Sequence, residues 1–150
     1  MLSKWILPLI WAASGSIGFA FIYHMRGKKL WYNALGGAMT WLVYLLSMET
    51  GLNEGVCYAI AAAVGTLYSE IMARALKTPV TTFVIAVNIP MVPGGSMFYS
   101  LLGLLENDID VFVQKGKYAL GVSVAIAMGI FVATMGFRLA KNALFRKKAY

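Results

Sequence analysis

The chain has 150 residues, 60% of them apolar and only 13% charged, with a formal net charge of +7, one histidine and one cysteine. Its mean hydropathy of +0.72 lies outside the range of water-soluble domains. One cysteine excludes an internal disulfide, and one histidine with one cysteine cannot assemble a catalytic triad or a multi-cysteine metal centre, so no enzyme is expected and no cofactor or metal is implied.

Four windows carry no Asp, Glu, Lys or Arg (5–23, 30–48, 78–105 and 118–137), and a fifth, 55–73, carries only Glu70. A helix needs about 20 residues to cross roughly 30 Å of hydrocarbon. The sequence therefore predicts an all-α integral membrane protein, a single transmembrane domain over 1–150 with five spans at about 5–24, 30–49, 54–74, 79–105 and 118–138.

The first span follows Lys4 and runs to Tyr23. Ala12-Ala13-Ser14-Gly15 imitates a cleavage site, but the apolar run continues past it into a basic cluster, which marks a retained span. His24 stands at its inner end beside Arg26, where the headgroup layer is the ordinary place for it and proton coupling the functional alternative. Small residues recur on faces of the first three spans, as Ser14 and Gly18, Gly36 and Thr40, Ala61 and Gly65. Such faces let helix backbones approach closely in lipid. Cys57 sits among Ala and Gly in the third span and reads as a packing residue. Glu70, the one acid inside a span, lies four residues before Arg74, the favourable order for a helical ion pair; an intramembrane carboxylate is also a candidate for proton coupling.

The fourth span is interrupted by Asn88-Ile89-Pro90-Met91-Val92-Pro93-Gly94-Gly95-Ser96. Two prolines remove two backbone donors and block helical carbonyls, and the glycine pair permits a sharp change of direction. A helix broken within a bilayer usually lines a cavity where the freed polar groups are used. Pro93 suits the start of a second half-helix, whose amides at Gly94, Gly95 and Ser96 would face the break and attract a carboxylate or phosphate. Pro90 and Met91 belong to the interrupted backbone, while Asn88, Ser96 and Tyr99 add side-chain hydrogen bonds. These eight residues are the candidate binding or permeation site. In the fifth span Gly121, Ala125, Gly129 and Ala133 recur every four residues as a packing strip.

Basic residues fall mainly in the first connector (Arg26, Lys28, Lys29), the third (Arg74, Lys77) and the tail (Arg138, Lys141, Arg146, Lys147, Lys148). The positive-inside rule then places the amino terminus outside and the carboxyl terminus in the cytoplasm. Dispersed at span ends, these charges match anionic headgroups and do not form a nucleic-acid-binding face. Trp5, Trp11, Trp31, Tyr32 and Tyr150 read as interfacial anchors.

Ile89-Pro90-Met91-Val92-Pro93-Gly94-Gly95, followed by Phe98-Tyr99, resembles the signature of the threonine/serine exporter family. Gly18-Phe19-Ala20, Leu35-Gly36-Gly37, Thr50-Gly51-Leu52 and Thr78-Pro79-Val80 extend the similarity over roughly residues 15–140, and the size is similar to the small membrane subunit of the family's split, two-protein form. The resemblance implies a multi-pass subunit in the cytoplasmic (inner) membrane of a prokaryote, exporting small carboxylate-bearing metabolites such as threonine, serine or a dicarboxylate like succinate. It also implies a larger five-span partner subunit, hence a hetero-oligomer. A non-transporting scaffold subunit and a self-associating channel are the other readings the sequence allows.

Overall fold

The computed structural model describes the backbone of residues 2–147 and side chains from 5 to 141. Lys148 and Tyr150 lie outside the described residues, as do the side chains of Lys4, Arg146 and Lys147. Regular structure among the described residues is helical: α1 (Leu2–Ile22), α2 (Lys28–Glu49), α3 (Glu54–Ala75), α4 (Val80–Asn88), a 3-10 turn (Ile89–Met91), α5 (Gly94–Leu105) and α6 (Ile109–Lys147). By length and apolarity α1 from Trp5, α3, and α6 as far as Lys141 are able to cross a membrane; α4 and α5 make a fourth crossing if taken as one span bent by 62°. α2 is long enough at 22 residues but less apolar. Its polar Asn33, Thr40 and Tyr44, which lower its hydropathy, are buried in the bundle.

Local chemistry accounts for the helix ends. α1, α3 and α5 each close with a residue in the left-handed region, His24 (φ 57°), Lys77 (φ 48°) and Asn107 (φ 58°). In each case the next amide reaches back five residues, as in Met25 N–H to Ala20 O at 2.9 Å and Thr78 N–H to Ala73 O at 2.8 Å, which satisfies carbonyls that a bare helix end would leave open. Asn53 caps α3, its Oδ1 accepting from Gly55 N–H at 2.9 Å. Asp108 caps α6 by accepting from Val111 N–H at 3.1 Å. That cap, followed by good helix formers such as Gln114, Lys115 and Lys117, starts α6 at Ile109, well before the expected 118.

α2 is the central helix, touching α1, α3 and α4. Its Gly36-Gly37 pair makes this possible: a Cβ on Gly37 would lie 1.9 Å from Ser16 Oγ of α1, and one on Gly36 would lie 2.6 Å from Val87 of α4 and 2.7 Å from Tyr68 of α3. α6 packs along α3 in the same direction, with Ala125 beside Gly55, Gly129 beside Ala59, and the Phe137 ring beneath the Arg74 guanidinium, while the Tyr118 hydroxyl reaches Glu54. For α6 to begin at the Glu54 end, α4 and α5 together must carry the chain across the bundle from the Ala75 end.

This succession gathers the first and third connectors and the second half of α6 at one end, where Arg26 and Lys29 border a groove with Thr78 and Thr82, and Arg74 and Arg138 border another with Thr81. Two apolar clusters fill the bundle. Phe83, Ala86 and Val87 pack with Ala20, Met25 and Ala73 toward the basic end, and Met91 packs with Tyr44, Tyr58, Ala62 and Ile126 toward the other. Cys57 is fully buried in the second cluster, as a packing residue should be. Trp31 is 72% exposed near the start of α2, consistent with an anchor, but Trp11 lies half-way along α1, level with Gly37, because its neighbour Ala12 backs the α1–α2 contact.

The α3–α6 seam is formed by Val122, Ala125, Ile126, Gly129 and Ala133; Gly121 points away from it into open space. A Cβ on Gly129 would stand 2.2 Å from the backbone oxygen of Ala59. Gly129→Ala should therefore destabilise the fold by about 1–3 kcal/mol, through forced separation of the helices. Gly121→Ala should change it by less than about 0.5 kcal/mol. Thermal unfolding of the two purified variants in one detergent checks the contrast.

Candidate functional site at the broken helix

α4 makes its last helical bond from Ile89 N–H to Ile85 O. Pro90 has no donor to continue, and the chain tightens into the 3-10 turn, closed by Val92 N–H to Ile89 O at 3.1 Å. Pro93 (φ −77°, ψ 51°) is the centre of an inverse γ-turn in which Gly94 N–H donates to Val92 O at 2.8 Å. Pro93 O then accepts from Met97 N–H at 3.0 Å and α5 begins. The turn is thus made by the two prolines. Gly94 and Gly95 keep ordinary helical backbone, and a Cβ on either would meet nothing within 4 Å, so the change of direction expected of the glycines is not their contribution. Among the described residues the amides of Gly95 and Ser96 have no backbone partner, as first-turn amides must.

The candidate residues are divided among three surroundings. Asn88 and Met91 are inside the bundle, 4% and 1% exposed. Asn88 Nδ2 donates to Val84 O at 2.9 Å and to Thr66 Oγ1 at 3.4 Å, and its Oδ1 faces Gly65 without a hydrogen bond from the protein. With Thr40 and Thr66, whose hydroxyls bond back to Gly36 O and Ala62 O, it forms a polar layer between the two apolar clusters. Pro90 instead borders an apolar cavity of about 440 Å³ against Pro8, Trp11, Phe19 and Trp41. Ser96 lines a polar cavity of about 360 Å³ with Gln114, Lys115 and Tyr118. Pro93 is half-buried, Gly94 and Gly95 are exposed, and none of the three lines either cavity; Tyr99 is 55% exposed with its ring edge-on to Phe98.

The polar cavity has charge on two sides. Lys115 supplies an ammonium, next to the free amides and positive dipole end of α5. Beneath it Tyr118 donates its hydroxyl to Glu54, whose carboxylate also accepts from Tyr44 at 3.3 Å. Gln114 and Lys115 fall between the expected fourth and fifth spans. Their one sequence signal is spacing, since Lys115 and Tyr118 are three apart on a helical face once the helix is known to start at Ile109.

Glu70 and His24 are placed elsewhere. Glu70 is buried on α3 with Oε2 2.7 Å from Arg74, and lines a separate cleft. His24 is exposed in the turn that ends α1.

A family model described as Threonine/Serine exporter, ThrE, matches residues 8–135, which takes in all or part of every helix and the whole of the break. The chain belongs to the threonine/serine exporter family. It is accordingly a membrane protein of exporter type, and the family is one of transporters rather than enzymes. No solved structure gives a significant match to this exporter chain.

Asn88 tests which parts of the break are structural. Asn88→Ala should lower the stability of the exporter chain by about 1 kcal/mol, the scale of an interhelical polar bond in a membrane protein. Efflux per molecule of folded protein should stay unchanged, measured as transport normalised to membrane-inserted protein.

Proposed function

We propose that the chain is the small subunit of a two-protein secondary exporter that moves threonine, serine or a related small carboxylate, including dicarboxylates such as succinate, out of the cell. The observation that carries this reading is the polar cavity that Ser96, whose amide has no backbone partner, lines together with Lys115. Amides at a helix start and an ammonium both favour a carboxylate. In this scheme Lys115 and the Ser96 turn hold the carboxylate, Gln114 and the Ser96 hydroxyl bond to the remainder of the substrate, and Glu54 keeps Tyr118 in place. The glycines leave the approach to the amides bare.

The topology belongs to the same proposal. Five spans follow if α2 counts as a span and α4–α5 as one. The reading is supported by the packing of α2 between α1, α3 and α4 and by the parallel course of α3 and α6. With the basic end in the cytoplasm, the polar cavity opens near the outer surface, since Glu54 is roughly 31 Å along α3 from Ala75 at helical rise. Measured the same way Asn88, beside Thr66, is roughly 13 Å from that end. A path from one face to the other needs walls that this bundle does not supply alone. α5 leaves Phe98, Leu101 and Leu105 exposed beside the bare glycines, a surface suited to helices of a larger partner subunit.

Efflux of radiolabelled threonine, serine and succinate from cells carrying both subunits tests the site. Lys115→Ala should raise the half-saturating substrate concentration about ten-fold at unchanged membrane level, the value of roughly one charge-assisted hydrogen bond, and Lys115→Arg should recover most of it. Pro93→Ala/Gly94→Ala should abolish efflux. Unaltered efflux in the Lys115→Ala and Pro93→Ala/Gly94→Ala variants would remove the binding role of the break, and conductance from the chain reconstituted alone would replace the two-subunit exporter with a self-associating channel.

A further inference from the structure

A second cleft, of about 340 Å³, lies near the basic end between α3, α4 and α6. Glu70 and Arg74 of α3 form its floor, Val80, Thr81, Val84 and Ile85 of α4 one wall, and Ile130, Thr134 and Arg138 of α6 the other. α2 contacts α3 and α4 from the remaining side, so the cleft opens sideways from the bundle.

Its polar groups are unevenly satisfied. Glu70, 5% exposed, is neutralised by Arg74 at 2.7 Å, and Arg74 in turn stacks 4.5 Å above the Phe137 ring. Arg138 has no hydrogen-bonding or ionic partner among the described residues. The hydroxyls are informative by contrast. In the bundle interior Thr40, Thr66 and Ser69, though not Ser16, bond back to the carbonyl four residues earlier, the ordinary resort of a helical hydroxyl in apolar surroundings. Thr134 does not, although Ile130 O is in the same helical relation to it, and Thr81 is also unbonded among the described residues. One guanidinium and two hydroxyls therefore converge on the cleft with donor capacity unused. Away from them the cleft is an apolar trough of Val84, Ile85 and Ile130; from Ile130 to Arg138 it is roughly 12 Å long at helical rise.

We infer that this cleft binds an anionic phospholipid of the leaflet at the basic end, with the headgroup phosphate held by Arg138, Thr81 and Thr134 and an acyl chain in the Val84–Ile85–Ile130 trough. Phosphate suits the donor set, because a guanidinium and hydroxyls present several hydrogen bonds to one oxyanion. Lipid suits the shape: the opening is lateral and the trough is apolar, whereas a small polar metabolite would leave the trough unfilled. Basic clefts between membrane helices on the cytoplasmic side are headgroup sites of this kind. The inference does not depend on the substrate assigned to the outer cavity.

Native mass spectrometry of the full-length protein in detergent, supplied with equimolar phosphatidylglycerol and phosphatidylcholine of identical acyl chains, provides the test. Phosphatidylglycerol should be retained preferentially. Arg138→Ala should lower its retention roughly five-fold, the worth of one basic residue beside an anionic headgroup. Thr134→Val should lower it further, and Arg138→Lys should restore part of it. Lys28→Ala, on the same basic end but outside the cleft, should leave retention unchanged. Equal retention of the two lipids, or equal losses from Lys28→Ala and Arg138→Ala, would overturn the inference in favour of diffuse attraction. Displacement of the lipid by millimolar threonine or succinate would overturn it in favour of a second substrate site. Helical circular dichroism identical to the parent keeps the Arg138 variants interpretable, and Arg138→Lys tests the contact even if the alanine variant fails to fold.

Discussion

A backbone donor or acceptor buried without water must find another partner, and two prolines placed three apart in an apolar span set that problem for the rest of this molecule. The chain meets it in sequence. A 3-10 turn takes up the slack after Pro90, an inverse γ-turn closes around Pro93, and Pro93 O becomes the first acceptor of α5. Met91 is driven into the apolar cluster and fastens the turn from inside. The amides of Gly95 and Ser96 are left without a backbone partner, and Ser96 lines a polar cavity with Lys115. The break is thus stable on its inner side and chemically available on its outer side.

Holding that arrangement in place is a matter of backbone proximity. Lipid chains are as apolar as leucine, so helices in a bilayer associate through close van der Waals contact and polar bonds. Gly36, Gly37 and Gly129 are where this chain allows such contact, and at each a methyl group would collide with a neighbour. The polar layer of Thr40, Thr66 and Asn88 adds register, because Asn88 can donate to Thr66 only at one depth of α4 against α3. Glu54 does the same at the far end by accepting from tyrosines of both α2 and α6.

Charge is divided along the bundle. The polar cavity near Glu54 combines an ammonium with a carboxylate-anchored tyrosine, whereas the opposite end gathers arginines and lysines of three separate segments. The two readings proposed for these ends make different demands on a cation. Lys115 has a flexible stem and a compact charge that a small substrate can share with water, while Arg138 offers a planar fork matched to phosphate oxygens. That distinction links the exporter reading of one cavity with the lipid reading of the other.

Much of this was legible in the residues alone. Apolar windows, a proline-interrupted span and an uneven distribution of lysine and arginine depend on composition and on local backbone chemistry, so the helices, the position of the break and the basic end could be read before any folding. The family signature added exporter chemistry on the same terms. Other features needed the tertiary structure. Gly121 had looked like part of a seam from which it points away, Trp11 lies at mid-helix, the bend owes nothing to the glycine pair, and Asn88 serves the bundle interior while Ser96 faces the polar cavity. Each depends on the rotation and depth of one helix against another, which the contacts at Gly37, Gly129 and Asn88 determine jointly. Lys115 is the clearest case: as sequence it falls between the expected fourth and fifth spans, and only the cap at Asp108 and the packing of α5 on α6 bring it into one cavity with Ser96.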